Sequence, residues 1–293
     1  MSIDFKRLQR PGDPSPTRTT EIHRVRSDQC TQQLDEITVE EPLEIRLGYT
    51  FLGQPARRSI SVTMRTPGRD RALACGFLFG EGVLSGVEDI SDVDHGSADD
   101  HDGPTNIVCV TVAAEVDVDM ASVQRNFYTT SSCGVCGKAS LEALEINDAP
   151  VVDSRDFRVS APTIAGLPEL LRRSQPLFEL TGGIHAAGLF DARGELIDLY
   201  EDVGRHNAMD KLVGASLLDD RLPLTRSIAV LSGRASFELL QKALRAQIPV
   251  VVAVGAPSSL AVELAHQFGI TLVGFTRRGR FNIYAHPQRI ETE

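Results

Sequence analysis

The chain has 293 residues, of which 42% are hydrophobic and 24% are charged, ordinary values for a globular protein with room for two domains. Its formal net charge of −10 at pH 7 argues against nucleic-acid binding over the whole surface. No apolar run approaches the length of a membrane span, and the N-terminal segment contains no apolar signal-peptide core. We therefore expect a cytoplasmic protein that has neither nucleic acid nor a membrane as a partner.

The first half of the chain predicts a mixed α+β region. Residues 1–20 are rich in proline, threonine and arginine, and are predicted to form a flexible tail. The β-branched runs EIHRVR, LEIRL and RRSISVTM predict strands. A helix is predicted to open after Thr66, with Asp70 in its first turn. Residues 92–105 are predicted to form an acidic surface loop, and the strand NIVCVTVAA follows it.

In the second half, strand-like and helical segments alternate. The predicted strands are HAAGLF, ELIDLYED, SIAVLS, VVVAVG and TLVGF, and the predicted helices are TIAGLPELLRRS, RHNAMDKLVGASLL, SFELLQKALRA and SLAVELAHQFG. This alternation favours an α/β fold with a mostly parallel sheet that helices cover on both faces. We therefore predict a tail at 1–20, a smaller mixed N-terminal domain at 21–155 and an α/β domain at 156–293.

The segment SSCGVCGKAS at 131–140 places Cys133 and Cys136 two residues apart. In a reducing cytoplasm this spacing indicates a metal site, a redox pair or a reactive nucleophile rather than a structural disulfide. A zinc site usually needs four ligands, and no second Cys-x-x-Cys exists, although His185 or His206 could contribute. A thioredoxin-like pair would follow a buried strand, whereas the upstream ASVQRNFYTTSS is polar.

The nucleophile interpretation fits the local chemistry better. The run SSCGVCGKASLEALE is typical of a loop that enters a helix, whose N-terminus carries partial positive charge and lowers the pKa of a nearby thiol. Lys138 adds a cation, and the glycines at 134 and 137 leave room for a bulky electrophile. Such a thiolate suits attack on a persulfide sulfur, and the second cysteine can resolve or relay that sulfur.

Longer motifs accompany the cysteine pair. GFLFGEG lies upstream, and TGGIHAAGLF, EDVGRHNAMDKLVG, SGRASFELLQKA and APSSLAVELA lie downstream. From about residue 20 onward the chain resembles the formate dehydrogenase accessory protein family, the FdhD-type sulfur carriers. The resemblance implies a sulfurtransferase that receives sulfur from a cysteine desulfurase as a persulfide on Cys133, with Cys136 assisting. It also implies transfer of that sulfur to the molybdenum cofactor bis-molybdopterin guanine dinucleotide, which formate dehydrogenase requires.

The family further implies a cytidine deaminase-like, three-layer C-terminal domain. Zinc deaminases carry His-x-Glu and Pro-Cys-x-x-Cys at the starts of two helices. Here GRHN at 204–207 and SGRAS at 232–236 stand in the matching places, and His185 lacks a glutamate two residues later. We therefore expect the fold without a metal. Glycine-rich helix N-termini suit an anion instead, and Arg205 with Arg234 could clamp a pyrophosphate.

An arginine-rich segment, FTRRGRFNIYAHP, follows a predicted buried strand near the C-terminus. Ligands gather at the C-terminal ends of strands in α/β sheets, and an arginine cluster is conspicuous in an acidic chain. The resemblance places contacts to the guanine nucleotide part of the cofactor at Phe275, Thr276, Arg277, Arg278, Gly279 and Arg280. A basic surface turn without a ligand is the alternative interpretation.

The expected partners are a cysteine desulfurase, formate dehydrogenase and a second copy of the chain. Because the cofactor carries two guanine nucleotides, we expect a homodimer that presents two pockets on one face. Two other functions stay open from the sequence. One is a non-catalytic chaperone that holds the cofactor without handling sulfur. The other is a zinc-dependent deaminase, against which the missing metal motifs count.

Overall fold

A computed structural model describes residues 15–95, 106–116, 151–154, 156–277 and 279–292. The motif cysteines Cys133 and Cys136 and the arginine Arg278 lie outside these described residues. None of the helices in the described ranges is both long and apolar enough to cross a membrane.

The N-terminal half contains a hairpin and a mixed sheet. Strand β1 (Thr17–Arg26) pairs antiparallel with β2 (Gln29–Thr38). Strands β3 (Glu41–Phe51), β4 (Gln54–Arg65), β5 (Ile90–His95) and β6 (Ile107–Val112) form a sheet in the order β4-β3-β6-β5. Helix α1 (Asp70–Gly80) lies between β4 and β5 in the chain. The three predicted strand runs and the predicted helix with Asp70 in its first turn are confirmed.

Two segments of this half differ from expectation at their ends. Residues 17–20, assigned to the tail, lie in β1, where Thr17 pairs with Thr38 and Thr20 with Asp35. Threonine is common in strands, so the polar composition of residues 17–20 did not exclude a strand there. Residues 92–95, assigned to the acidic loop, complete β5. Only Val93 of these four is buried, because an edge strand turns alternate side chains to solvent, and its composition therefore resembles that of a loop.

The C-terminal half is built on a larger sheet. Its strands are β8 (His185–Phe190), β9 (Leu196–Asp202), β10 (Ile228–Leu231), β11 (Val250–Ala253), β12 (Thr271–Arg277) and β13 (Arg280–Ala285), in the order β13-β12-β11-β10-β8-β9. The helices are α2 (Ala161–Arg173), α3 (Pro176–Thr181), α4 (Arg205–Leu218), α5 (Phe237–Arg245) and α6 (Ser259–Phe268). Two short strands, β7 (Val159–Ser160) and β14 (Ile290–Glu291), pair in parallel.

The prediction of a mostly parallel sheet is wrong. Among the described strands of this sheet, only the β10–β11 and β11–β12 pairs are parallel. The β8–β9, β8–β10 and β12–β13 pairs are antiparallel. The turn at 191–194 joins β8 to β9, and a turn at Gly279 (φ +75°) joins β12 to β13. Such short connections allow only antiparallel neighbours, whereas helices α5 and α6 provide the crossovers that parallel pairing needs.

Helices cover both faces of this sheet, as the alternating pattern predicts. Ile228 and Val230 of β10 belong to one buried cluster with Ile164 of α2. Ala229 and Leu231 belong to a second cluster, which includes side chains of α4, α5 and α6. The mixed α/β fold class is confirmed, and its C-terminal part has a helix–sheet–helix layering.

Helix α1 packs directly on α4 and joins the two halves. A Cβ atom added to Gly76 would collide with the carbonyl oxygen of Asp210, and one added to Gly214 would collide with that of Ala72. The two glycines therefore let the helix backbones approach closely. Because one buried cluster contains side chains of both helices, a continuous core links the two halves. The division of the chain at residues 155 and 156 stays a prediction.

Candidate functional site

The two cysteines predicted to be catalytic, Cys133 and Cys136, lie outside the described residues, and their roles stay predictions. The other cysteines differ in accessibility: Cys30 is exposed, whereas Cys75 and Cys109 are buried. Burial raises the pKa of the Cys75 thiol to about 12, which keeps that thiol protonated and poorly reactive. Among the described residues, no group of three histidine, cysteine, aspartate or glutamate side chains could hold a metal ion.

The ends of several strands meet at one edge of the larger sheet. Because β10, β11 and β12 are parallel, their C-terminal ends lie together. Strand β8 runs antiparallel to β10, with Ala187 opposite Leu231, so His185 at its start lies at the same edge. His185 is paired with Asp202, the last residue of β9. We call this region the strand-end edge; ligands of α/β sheets bind at such edges.

Hydrogen bonds tie three loops of the strand-end edge into one surface. The Gly255 N–H donates to the Gly233 carbonyl at 2.9 Å, and the Ala235 N–H donates to the Ala256 carbonyl at 3.2 Å. The Phe275 N–H donates to the Gly255 carbonyl at 3.0 Å. These hydrogen bonds connect the loops after β10 and β11 to each other and to the end of β12.

Two glycines allow this close approach. A Cβ atom on Gly255 would lie 3.1 Å from the Gly233 carbonyl oxygen and 3.1 Å from Cγ of Arg234. A Cβ atom on Gly274 would lie 3.0 Å from Cδ of Pro257. A larger side chain at either position would push the loops apart. The spacing of the loops thus depends on these glycines.

Phe275 occupies a strained position on this surface. Its φ is +53° and its side chain is 42% exposed. A bulky residue in the left-handed region costs about 1–3 kcal/mol, and such strain clusters at ligand sites. The exposed ring offers a stacking surface for a planar group. The next residue, Thr276, is fully buried, and its hydroxyl has no hydrogen-bond partner among the described residues.

Four arginines at the strand-end edge make no ion pair with any described residue; they are Arg205, Arg234, Arg277 and Arg280. Arg234, Arg277 and Arg280 are exposed, whereas Arg205 is half-buried, with a buried Nε atom that lacks a partner. In a chain of net charge −10, unpaired guanidinium groups concentrate positive potential locally. Their planar donor geometry matches phosphate oxygens. The edge therefore suits an anionic ligand.

Two histidine–serine contacts lie beside these arginines. His206, in the first turn of α4, has its Nε2 atom 3.1 Å from the Ser236 Oγ atom. The same Nε2 atom lies 3.7 Å from a carboxylate oxygen of Glu238 on α5. Nδ1 of His185 lies 3.4 Å from Oγ of Ser232, the residue that follows β10. The first turns of α4 and α5 thus face each other across the edge.

Both imidazoles are held neutral near pH 7. Burial, followed by the positive charge of Arg205, lowers the pKa of His185. The same two causes lower the pKa of His206 to about 4, and the negative charge of Glu238 only partly opposes them. The pKa of Glu238 is itself lowered: burial opposes ionisation, but its own backbone N–H, the Ser236 hydroxyl and the positive charge of Arg205 help to outweigh that effect. The carboxylate is therefore ionised.

A buried ion pair anchors the loop that carries Arg205. The carboxylate of Asp202 is fully buried and lies 2.6 Å from Nζ of Lys211, which is 2% exposed. It also accepts hydrogen bonds from the Gly204 N–H at 2.9 Å and from the Thr66 N–H at 3.2 Å. Because Thr66 directly follows β4, this carboxylate fixes the strand-end edge to the N-terminal half.

A second buried ion pair holds α4 against α5. Asp210 lies one turn after His206, and its carboxylate is 2.6 Å from Nζ of Lys242, which lies one turn after Glu238. Burial raises the pKa of Asp210 to about 6, in spite of the attraction of Lys242. The pair therefore holds α4 and α5 together one turn after the contact between His206 and Glu238.

The structure describes five of the six residues predicted to contact a nucleotide; they lie at the C-terminal end of β12 and in the turn that leads into β13, and the Phe275 N–H connects them to the loop that carries Gly255. That they bind a nucleotide stays a prediction. Sequence reasoning missed the pairing of α4 with α5. The available signal was a four-residue spacing on both helices, His206 with Asp210 and Glu238 with Lys242.

Comparison with known proteins gives a consistent result. Residues 38–291 match the family model of the FdhD/NarQ family. A relative from Streptomyces coelicolor named sulfur carrier protein FdhD is 49% identical over 277 residues, covering 94% of this chain and 95% of its own. A Mycobacterium tuberculosis relative with the same name is 45% identical over 274 residues, covering 92% of this chain and 96% of its own.

A solved structure is also similar. The crystal structure of a protein from Desulfotalea psychrophila, described as a formate dehydrogenase accessory protein, matches with a TM-score of 0.69 at 25% identity. The match covers 94% of this chain and 100% of that one. It supports the mixed α/β fold, while the cytidine deaminase-like description stays a prediction. With the family match over most of the chain, these similarities show that the chain belongs to the FdhD/NarQ family.

Proposed function

We propose that this protein is a sulfurtransferase that carries sulfur to the molybdenum cofactor of formate dehydrogenase. It receives persulfide sulfur from a cysteine desulfurase on Cys133 and delivers it to bis-molybdopterin guanine dinucleotide, the cargo. The sulfur role rests on the family and on the names of its curated relatives. The cargo role rests on one observation of the structure, the unpaired arginines beside an exposed, strained aromatic residue at the strand-end edge.

The proposed cargo site divides into a base end and a phosphate end. Phe275, at the end of β12, stacks on the guanine ring, and Arg277 and Arg280 lie beside it. Arg234, in the loop after β10, and Arg205, the first residue of α4, take the phosphates. The ends of β12 and β10 are two strand spacings apart, about 10 Å. That span suits a nucleoside diphosphate lying along the edge.

Loading of sulfur is a thiol–persulfide exchange. The Cys133 thiolate attacks the terminal sulfur of the desulfurase persulfide, the sulfur–sulfur bond of that persulfide breaks, and the desulfurase cysteine leaves as a thiolate. Cys133 then holds the transferred sulfur as its own persulfide. Cys136 assists by relaying or resolving this sulfur, and the exchange occurs in the cytoplasm, where thiols stay reduced.

We also propose a homodimer. The cargo carries two guanine nucleotides, and each chain has one strand-end edge, so two copies are needed to hold both nucleotides. Sedimentation of the protein with and without cargo tests this arrangement. A strict monomer that still binds the complete cofactor contradicts it.

Formate dehydrogenase maturation tests the proposed function. Cells that lack this protein are supplied with the wild type, with Cys133→Ala or with the control Cys30→Ala, whose cysteine lies exposed on β2. We expect the wild type and Cys30→Ala to restore formate dehydrogenase activity and Cys133→Ala to fail at equal protein levels. Full activity with Cys133→Ala contradicts the proposal and supports a chaperone that holds the cofactor without handling sulfur.

A further inference from the structure

The facing first turns of α4 and α5 contain a histidine, His206, that is not among the proposed cargo contacts. His206 contacts Ser236 and Glu238, and it lies beside Arg205, the arginine proposed to bind phosphate. The charged and titratable groups that act on its imidazole, or on its neighbours from the packed elements, are Arg205, His185, Glu238, Lys242, Asp202, Asp210 and Glu81. A bound anion at Arg205 would offset the positive charge that lowers the pKa of His206.

Hydrogen bonding fixes the form of the neutral imidazole. Nε2 of His206 lies 3.1 Å from the Ser236 Oγ atom and 3.7 Å from a carboxylate oxygen of Glu238, and an ionised carboxylate can only accept. A proton on Nε2 faces two acceptors, whereas an unprotonated Nε2 would set its lone pair against the carboxylate. The neutral ring therefore carries its proton on Nε2. Its Nδ1 atom, which has no hydrogen-bond partner among the described residues, is the atom that can gain a proton.

We propose that His206 takes up a proton at Nδ1 when a diphosphate ester binds at Arg205, and that the resulting imidazolium becomes part of the phosphate site. The inference rests on the proposed function, because the diphosphate ester is the nucleotide part of the cargo. The proton comes from solvent and no covalent bond changes. The imidazolium also forms an ion pair with Glu238, whose carboxylate would otherwise repel the incoming phosphates.

Electrostatics sets the sign of this coupling. In the free protein, burial and Arg205 hold the pKa of His206 at about 4. A diphosphate ester brings two negative charges that offset the charge of Arg205, and an opposite charge at about 4–6 Å raises a histidine pKa by about 1–3 units. A group whose pKa is higher in the complex binds a proton on complex formation, so ligand affinity increases as the pH falls. A rise of about two units makes binding about tenfold tighter at about pH 5 than at about pH 8.

Calorimetric titration with a guanosine diphosphate sugar tests the inference, because its esterified phosphates do not titrate in this pH range. Wild-type protein should bind about tenfold more tightly at about pH 5 than at about pH 8, with proton uptake revealed by buffers of different ionisation enthalpy. His206→Gln should bind with a much smaller pH dependence and less proton uptake, the remainder coming from His185, whose pKa Arg205 also lowers. His266→Gln, an exposed histidine near the C-terminal end of α6, should behave as the wild type.

Arg205→Gln provides a second variant that keeps the inference refutable if His206→Gln folds poorly. Removing the guanidinium should weaken binding at about pH 8. It should also flatten the pH dependence, because the pKa of His206 in the free protein is higher without the charge of Arg205. Wild-type binding without proton uptake, or an unchanged pH slope in His206→Gln, overturns the inference and leaves the proposed function standing. No binding at any pH overturns both this inference and the nucleotide site, while persulfide formation on Cys133 tests sulfur carriage separately.

Discussion

Replacing Asp202 with asparagine tests how the strand-end edge is held in place. The fully buried carboxylate pairs with Lys211 at 2.6 Å, and Lys211 is only 2% exposed. Asp202→Asn keeps the size of the side chain but leaves a buried ammonium group without its counter-charge. Breaking a buried ion pair in this way costs about 3–5 kcal/mol, so the free energy of unfolding should fall by that amount.

Urea unfolding of full-length variants measures this loss. The matched control is Asp198→Asn on the same strand, because Asp198 pairs with Arg221 at 2.8 Å while their side chains are 23% and 31% exposed. This partly exposed pair should contribute less than about 1 kcal/mol. The double variant Asp202→Asn with Lys211→Met removes both buried charges and should recover most of the stability. A loss below about 1 kcal/mol for Asp202→Asn, or no recovery in the double variant, would refute the anchoring role.

Three further variants probe the helix contact and the cargo site. Gly76→Ala should lower the free energy of unfolding by about 1–3 kcal/mol, because the added methyl collides with the Asp210 carbonyl; a thermal midpoint equal to that of the wild type would contradict this. Phe275→Gly relieves the positive φ and should leave the thermal midpoint unchanged or higher, while guanosine diphosphate binding weakens about tenfold through loss of stacking; unchanged affinity would argue against the stacking role. Arg234→Ala should not change the thermal midpoint, because the side chain is exposed. It should weaken nucleotide binding and make the affinity less dependent on salt than in the wild type. Equal affinity of the two proteins in both low and high salt would exclude a phosphate contact.

Local signals in the sequence predict four of the five described α-helices of the C-terminal half and miss the short α3. The segment RHNAMDKLVGASLL predicts a helix, and α4 spans those same residues, Arg205–Leu218. The glycine that ends SLAVELAHQFG is Gly269, which caps α6 at φ +81°. Both features depend on residues within a few turns of each other, and this is the range over which helix propensity and capping act.

Strand directions depend on contacts that no local pattern contains. The turn at 191–194 makes β8 and β9 antiparallel neighbours, but no local signal places β8 between β9 and β10 and opposite in direction to both. Helix α4 packs on β8 and β9 and, through the glycines at 76 and 214, on α1, and these contacts join residues far apart in the chain. Those glycines resemble ordinary helix-weakening residues until the two helices are seen together.

The candidate site was only partly accessible from the sequence. The arginine-rich segment can be recognised in the sequence, but its position relative to Arg205 follows only from the strand order of the sheet. The positive φ of Phe275 contradicts the strand preference of aromatic residues, so no propensity rule predicts it. Asp202 and Glu238 read as surface carboxylates, and only packing shows that the first is buried and that the second contacts His206.

The intact mass of the protein after incubation with a cysteine desulfurase and cysteine tests the central claim most directly. Wild-type protein and the Cys30→Ala control should each gain one sulfur atom, removable by a reducing agent, and Cys133→Ala should gain none. This result would establish Cys133 as the carrier. A wild-type protein that gains no sulfur beside an active desulfurase, or a Cys133→Ala variant that still gains one, would contradict the account.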